Sequence, residues 1–362
     1  MQVTINKPRF AKNASEEAIF RTICKEVNGF ISQQKGSTQK GIIIKAVVFS
    51  AAFVGSYTTI LLAQTFWVLL IAYVMLGFTL VLLGLNFAHD FAHNTIFKSK
   101  QVNNAFFEGL FMLMGINGYL WKKRHTHSHH NYPNTEGYDV DVELGSIVHL
   151  SANKTPKKHH KWQYLYAPIL YSIYTLYWVL YKDFVLFFQK QHANLTFAKH
   201  DTKEAIKLWL FKGVYFSYVL VVPLLVSPLS VGQVLVAFLV FHAVAAWLLL
   251  FTFLITHHVE DTQYFSEHDN ILSSSSWLLH QVQSSNDFHP FSTAANYIFG
   301  GFNCHVAHHL FPNVCHVYYP AISQIIYKTL LQNGIVPNKT SFFGGIKSHI
   351  RLLKNMGTVK AA

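Results

Sequence analysis

The chain has 362 residues and is 51% apolar and 15% aromatic but only 13% charged, more apolar than a water-soluble protein of this length needs. Its 29 Lys+Arg against 17 Asp+Glu give a formal net charge of +12. No zinc finger, RNA-binding signature or basic recognition helix accompanies that charge, so no nucleic acid partner is expected. Cys24, Cys304 and Cys315 form neither a disulfide framework nor a CxxC pair and suit a reducing compartment.

Residues 1–41 are polar and hold no histidine; "MQVTINKPRFAKNASEEAIF" has no apolar core, so no cleaved signal peptide is expected. Two apolar stretches follow, 42–63 and 66–87, separated only by Gln64 and Thr65. Each is about 22 residues, roughly 33 Å as a helix and enough to cross a bilayer core. They form the first membrane hairpin, 42–87. The polar segment 88–205 contains two ambiguous apolar runs. Segment 105–120 carries Glu108, and 162–181 carries Tyr164, Tyr166, Tyr171, Tyr174, Tyr177 and Tyr181. That aromatic load suits the membrane–water interface, so both are expected to lie on the membrane rather than cross it. A second pair of apolar stretches, 206–227 and 231–256, turns at Pro228 and makes the second hairpin, 206–256; the last segment is 257–362. Both hairpin turns lack Lys and Arg, whereas the three polar segments hold nearly all of them. The positive-inside rule therefore puts both termini and all three polar segments in the cytosol. The expected fold is an all-α, multi-pass integral membrane protein of four spanning helices under a cytosolic helical cap.

The 22 histidines are clustered. "NFAHDFAHN" places His89 and His93 four apart; "RHTHSHHN" places His125 and His129 four apart with His130 adjacent. "ITHHVED" supplies His257 and His258, and "FNCHVAHHLFP" supplies His305, His308 and His309. Residues four apart on a helix share a face about 5–6 Å apart, so such pairs can grip one metal or two neighbouring metals. Scattered histidines carry less: His159 and His160 sit in a basic patch, and His242 lies in mid-membrane as an interior polar group. Imidazole alone leaves iron, copper, nickel and zinc open. A metal-binding cap on a bilayer, without nucleotide loop, nucleophile elbow or HExxH, suits oxidation of lipid chains. Cleaving an unactivated C–H bond needs a stronger oxidant than any side chain, which a pair of irons and dioxygen can supply.

With these motifs the chain resembles the membrane fatty acid desaturases with three histidine boxes: "HDFAH" (89–93), the HxxxHH of 125–130 and "HVAHH" (305–309). "YAPILY", "HHVED", "HQVQSSNDF" and "GGFNCHVAHHLFPNV" are similar to the front-end, linoleoyl-CoA desaturase-like branch, in its bacterial type without a fused cytochrome b5 domain; the match covers about 40–330. The resemblance implies a di-iron centre held by His89, His93, His125, His129, His130, His258, His305, His308 and His309, with His258 chosen because Val259-Glu260 follows it. Asp90, Asp139, Asp141 and Glu260 are candidates to hold those imidazoles from behind, and His127 should point away. It further implies dioxygen as co-substrate, an acyl substrate carried by CoA, carrier protein or phospholipid, and a separate ferredoxin or cytochrome b5-type donor. That donor would dock on the basic face of Lys122, Lys123, Arg124, Lys154, Lys157, Lys158 and Lys161. The expected setting is the bacterial cytoplasmic membrane. Many front-end desaturases have Gln at the place of His305, so the double-bond position is not carried over. A lipid hydroxylase or alkane monooxygenase would share the histidines. A metal transporter or storage protein would need polar ligands across the membrane, and the spanning helices offer almost none besides His242.

Overall fold

The computed structural model describes residues 3–5, 9–34, 37–142, 147–150, 155–197, 199–265 and 275–358. Among these, four helices are long and apolar enough to cross a membrane: Gly41–Leu62, Phe66–Ala92, Thr202–Val226 and Val231–His257. Their outer faces remain apolar and exposed, as at Ile43, Val47, Trp67, Ile71, Trp209 and Leu239, which is the surface that lipid rather than water covers. Their inner faces pack Tyr73, Leu76, Tyr215, Phe238 and Phe241 into the largest buried cluster. The second helix runs five residues beyond the expected limit of 87. A π-helical turn at Gly84–Ala88 carries it on into the first histidine box, so box one is the end of a membrane helix rather than a loop after it.

Segment 105–120 breaks into a helix Lys100–Met114, a turn at Gly115, and a second helix Gly118–Arg124 that leads into box two. Segment 162–181 is interrupted as well: Gln163–Tyr171, Tyr174–Tyr177, a π turn at Trp178–Lys182, then Asp183–Phe188. Neither piece reaches spanning length. Leu165, Ile169, Ile173, Leu180, Tyr181 and Phe188 are exposed along it, as expected of a helix lying on a membrane. The all-α expectation holds apart from short strands. Val3–Ile5 pairs antiparallel with Leu195–Phe197, and Asn286–Phe288 pairs in parallel with Asn338–Thr340. The C-terminal helices Tyr319–Gln332 and Phe342–Met356 close the cap, the first against the N-terminal helix Ala14–Gln33 and the second against the fourth membrane helix.

Two glycines admit no side chain at the junction of cap and membrane. Gly300 has φ +59°, and a Cβ there would lie 2.4 Å from the Leu85 carbonyl oxygen, in the turn that enters box one. Gly301 has φ +90° and faces the Tyr319 ring. Gly300→Ala should therefore cost at least about 1 kcal/mol of stability. The expected reading is a lower thermal midpoint in detergent than for Gly334→Ala, whose positive φ meets no neighbour within 4 Å.

Candidate metal centre

Nine buried imidazoles converge in two groups. His89, His93, His125, His130 and His308 form one; His129, His257, His305 and His309 form the other. In the first, the His125 Nε2 lies 3.2 Å from the Nε2 of His89, 3.2 Å from that of His93 and 3.1 Å from that of His130. In the second, the His257 Nε2 lies 2.7 Å from that of His305 and 3.1 Å from that of His309. The backbone explains the division. His125–His129 is a π turn, so His125 and His129 face different groups although they are four apart. In the helix His305–Leu310, His305 and His309 share one group and His308 reaches the other.

The outer ring nitrogens settle which form of imidazole points inward. His129 Nδ1 donates to the Asp139 carboxylate (3.1 Å), His257 Nδ1 to the Ser284 carbonyl (2.9 Å) and His309 Nδ1 to Gln281 Oε1 (2.8 Å). The Tyr319 hydroxyl gives its own proton to the Phe311 carbonyl and stands 3.3 Å from His308 Nδ1, where it can accept. With the proton outside, the inner Nε2 atoms carry bare lone pairs. Burial also holds His93 (at about 4), His125, His130, His305, His308 and His309 below the ordinary imidazole value, in the neutral ligand form. For His129 burial pulls down too, but the Asp139 charge and hydrogen bond raise it on balance. Bare lone pairs 3.1 Å apart, as on His257 and His309, cannot bond one another and repel. The His308 Nε2 is buried with no hydrogen-bond partner among the described residues. Each group thus has the donor set of a cation site, with the second nitrogen of several rings anchored as metal ligands require.

The structure brings His257, rather than the expected His258, into the second group. His257 is the last residue of the fourth membrane helix and shares a face with Leu250 and Leu254. His258, one step on at φ −122°, turns away, and its Nδ1 meets the Tyr264 hydroxyl at 2.8 Å. Of the expected backing carboxylates, Asp139 contacts His129 directly, and Asp141 lies 3.7 Å from the same nitrogen. Asp90 and Glu260 do not back the clusters. The Asp90 carboxylate accepts from His316 Nδ1 (2.8 Å) and Cys315, and Lys45 Nζ lies 3.0 Å from the other His316 nitrogen. Glu260 meets Ser348, Asn355 and Arg351 at the surface. His127 and His160 are in neither group, and His242 is occupied by Thr175 and Tyr215.

Sequence reasoning missed several supports. Asn134, at φ +55°, donates its amide to the carbonyls of His257 and Gln263, tying the loop after box two to the end of the fourth membrane helix. Asp287 is pushed up to about 7 by burial and accepts from the Val306 amide and the Tyr327 hydroxyl, so it holds the start of the box-three helix. A lone Asn, Gln or Asp has no periodicity to mark it.

Beside the imidazoles lies a cavity of about 340 Å³. Its apolar wall includes Leu85, Phe111, Met114, Trp178, Leu249, Phe253 and Phe302. His89 from one group and His129 and His257 from the other open onto it. Arg124, Asp141, Lys182, Gln189 and His192 add polar lining. Arg124 is therefore not part of the outer basic face: it is 6% exposed, its Nε is buried without a hydrogen-bond partner among the described residues, and the Asp141 carboxylate lies 3.9 Å from its guanidinium. Trp121, also on the cavity, stacks on His125 at 4.5 Å and 16°.

The family described as fatty acid desaturase matches residues 33–341. An sn-1 linoleoyl-lipid 6-desaturase of Arthrospira platensis is 26% identical, over 98% of this chain and 96% of its own length. A second sn-1 linoleoyl-lipid 6-desaturase, of Synechocystis, is 26% identical over 93% of this chain and 95% of its own. An acyl-lipid (8-3)-desaturase of Dictyostelium discoideum is 28% identical over 90% and 72%.

Replacing His257 by Ala should remove about half of the bound metal per chain, because the second group then falls to three imidazoles, whereas His258→Ala should leave the metal content unchanged. Asp139→Asn should weaken metal retention about 10- to 100-fold. Elemental analysis after dialysis against a chelator reads all three.

Proposed function

Because the chain belongs to the fatty acid desaturase family, we propose that its two imidazole groups each hold one iron, on the ligand set His89, His93, His125, His130 and His308 with His129, His257, His305 and His309. The enzyme is an oxidoreductase that desaturates lipid acyl chains. The cavity that touches both groups carries the reading, since it gives an apolar chain a place beside both. Across the reaction –CH₂–CH₂– loses two hydrogens, and dioxygen, two electrons and two protons leave as two waters. The irons, when bound, supply the activation of dioxygen and the removal of hydrogen. The chain's own residues do the rest. Asp139, Ser284 and Gln281 keep the inner nitrogens of His129, His257 and His309 free for metal. Leu85, Phe111, Trp178, Leu249, Phe253 and Phe302 exclude water and hold the chain in place, which alone distinguishes one methylene from the next. Arg124 and Lys182, lining the same cavity, suit the acidic head group of an acyl carrier such as CoA, carrier protein or a phospholipid.

The membrane hairpins 42–87 and 206–256 would hold segments 1–41, 88–205 and 257–362 on the cytosolic side, in a bacterial cytoplasmic membrane. The electron donor is a separate ferredoxin or cytochrome b5-type protein. Lys157, Lys158 and Lys161 are exposed and Lys122 and Lys123 half-buried, and together they form its landing face; Lys154 lies outside the described residues. Acidic carriers would be drawn to that charge.

Expression in a host lacking polyunsaturated lipids, with mass spectrometry of the fatty acids, should reveal a new double bond; a hydroxylated chain instead would support the hydroxylase reading. Reduction of the irons by an acidic donor should slow as salt rises and after charge reversal of Lys157, Lys158 and Lys161, while dithionite reduction stays unchanged. Donor kinetics indifferent to both would place the landing face elsewhere.

A further inference from the structure

Away from the histidines, one buried ion pair joins parts of the molecule that are distant in sequence. Asp183 is 1% exposed and Lys212, on the third membrane helix, 5%. The Asp183 carboxylate accepts from Lys212 Nζ (2.5 Å), from the Trp178 indole N–H (2.8 Å) and from the Asn117 backbone amide (2.8 Å). Lys212 gives a second hydrogen bond to the Gly115 carbonyl (2.5 Å). Charges withdrawn from water add little net stability even when paired, and an apolar pair of similar volume often serves as well. What these bonds supply is geometry.

Two of the tied elements belong to the acyl cavity. Trp178 lines it and opens the π turn that ends at Lys182, also on the lining. Local π geometry is uncommon and tends to occur where side chains must be re-aimed at a site. Met114 and Ile116 line the cavity on either side of Gly115. Gly115 itself has φ +66°, and a Cβ there would strike the Tyr215 ring at 2.5 Å, so the turn is pressed onto the third membrane helix. The remaining tie reaches the metal ligands. Asn117 caps the helix Gly118–Arg124 through its side chain (to the Leu120 amide, 3.0 Å), and that helix runs straight into His125. One carboxylate thus sets the placement of the cavity wall relative to box two.

Methylenes along an acyl chain are chemically alike, so the pair that reacts is chosen by where the wall holds the chain against the histidine groups. We propose that Asp183, through Trp178, Asn117 and Lys212, is a positioning residue that determines where along the acyl chain the double bond is placed. This rests on the cavity being the acyl site.

The test compares Trp178→Phe, Asp183→Asn combined with Lys212→Met, and Asp183→Glu. Trp178→Phe deletes one donor and keeps an aromatic ring; the double variant removes both charges together. Glu108→Gln is the control, since it breaks an ion pair with Lys207 (2.6 Å) that also joins the Lys100–Met114 helix to the third membrane helix but lies away from the cavity. Double-bond positions are read by mass spectrometry of derivatised products, and metal per chain by elemental analysis. Loss of a hydrogen bond to a charged group corresponds to about a tenfold change or more. The share of minor positional isomers should therefore rise about tenfold in Trp178→Phe and in the double variant, with metal content unchanged. Asp183→Glu should fall between them and the parent, and Glu108→Gln should match the parent. Reduced yield with the parent's isomer pattern would overturn the proposal and leave the pair a structural one. If the double variant does not fold, Asp183→Glu decides, because Asp183 does not line the cavity whereas Trp178 does. A second measurement needs no turnover: quenching of tryptophan fluorescence by stearoyl-CoA brominated at successive carbons. The carbon of strongest quenching should shift in the double variant. An unchanged profile overturns the proposal, whereas a parent enzyme that forms no double bond would instead sink the activity.

Discussion

The mutual repulsion of bare imidazole nitrogens is the constraint around which this molecule is built. His257 and His309 each spend their ring proton on an outer acceptor, the Ser284 carbonyl and Gln281, and turn their remaining lone pairs on one another at 3.1 Å. Turned on one another in this way, the two lone pairs repel, and an unmet buried acceptor costs about 1–3 kcal/mol. A cation between them reverses the sign. The apolar bundle keeps water out, the cap delivers the rings, and the supports behind them prevent the rings from flipping to a less costly tautomer.

The cap and the bundle are therefore one device. Box one ends the second membrane helix and His257 ends the fourth, so His89 and His257, one from each imidazole group, inherit the rigidity of spanning helices. Boxes two and three come from the cap and are held by Asp139, Asn134 and Asp287. The cavity proposed for the acyl chain lies where these parts meet. Its wall takes residues from the second and fourth membrane helices, from the helix before box two and from the interrupted segment around Trp178. An acyl chain there would leave the lipid phase without leaving an apolar environment, beside imidazoles of both groups.

Much of this was legible in the sequence. Length and hydropathy located the four spans to within a few residues, and histidine spacing identified eight of the nine clustered imidazoles. The miss at 257/258 turned on a single step along a helix end, about 100° of rotation, which decides between adjacent histidines and leaves no trace in composition. The π turns at Gly84–Ala88, His125–His129 and Trp178–Lys182 were hidden for the same reason: they change the direction of side chains without changing residue type. Arg124 read as one of a surface run of basic residues, but the helix carrying it turns it inward to the cavity. Asp90 read as a support for its neighbour His89, yet its carboxylate serves His316, 226 residues away. Long-range polar contacts of this kind, Asp183 with Lys212 included, follow from the packed fold and have no local signature.

The two imidazole groups call for two cations where they converge, and anomalous X-ray diffraction at the iron edge from crystals of the purified protein would locate them. Two iron peaks are expected, one bonded to Nε2 atoms of His89, His93, His125, His130 and His308, the other to those of His129, His257, His305 and His309, each bond about 2.1 Å as for other imidazole–metal contacts. A single peak, or a peak bonded to His258 in place of His257, would contradict the account.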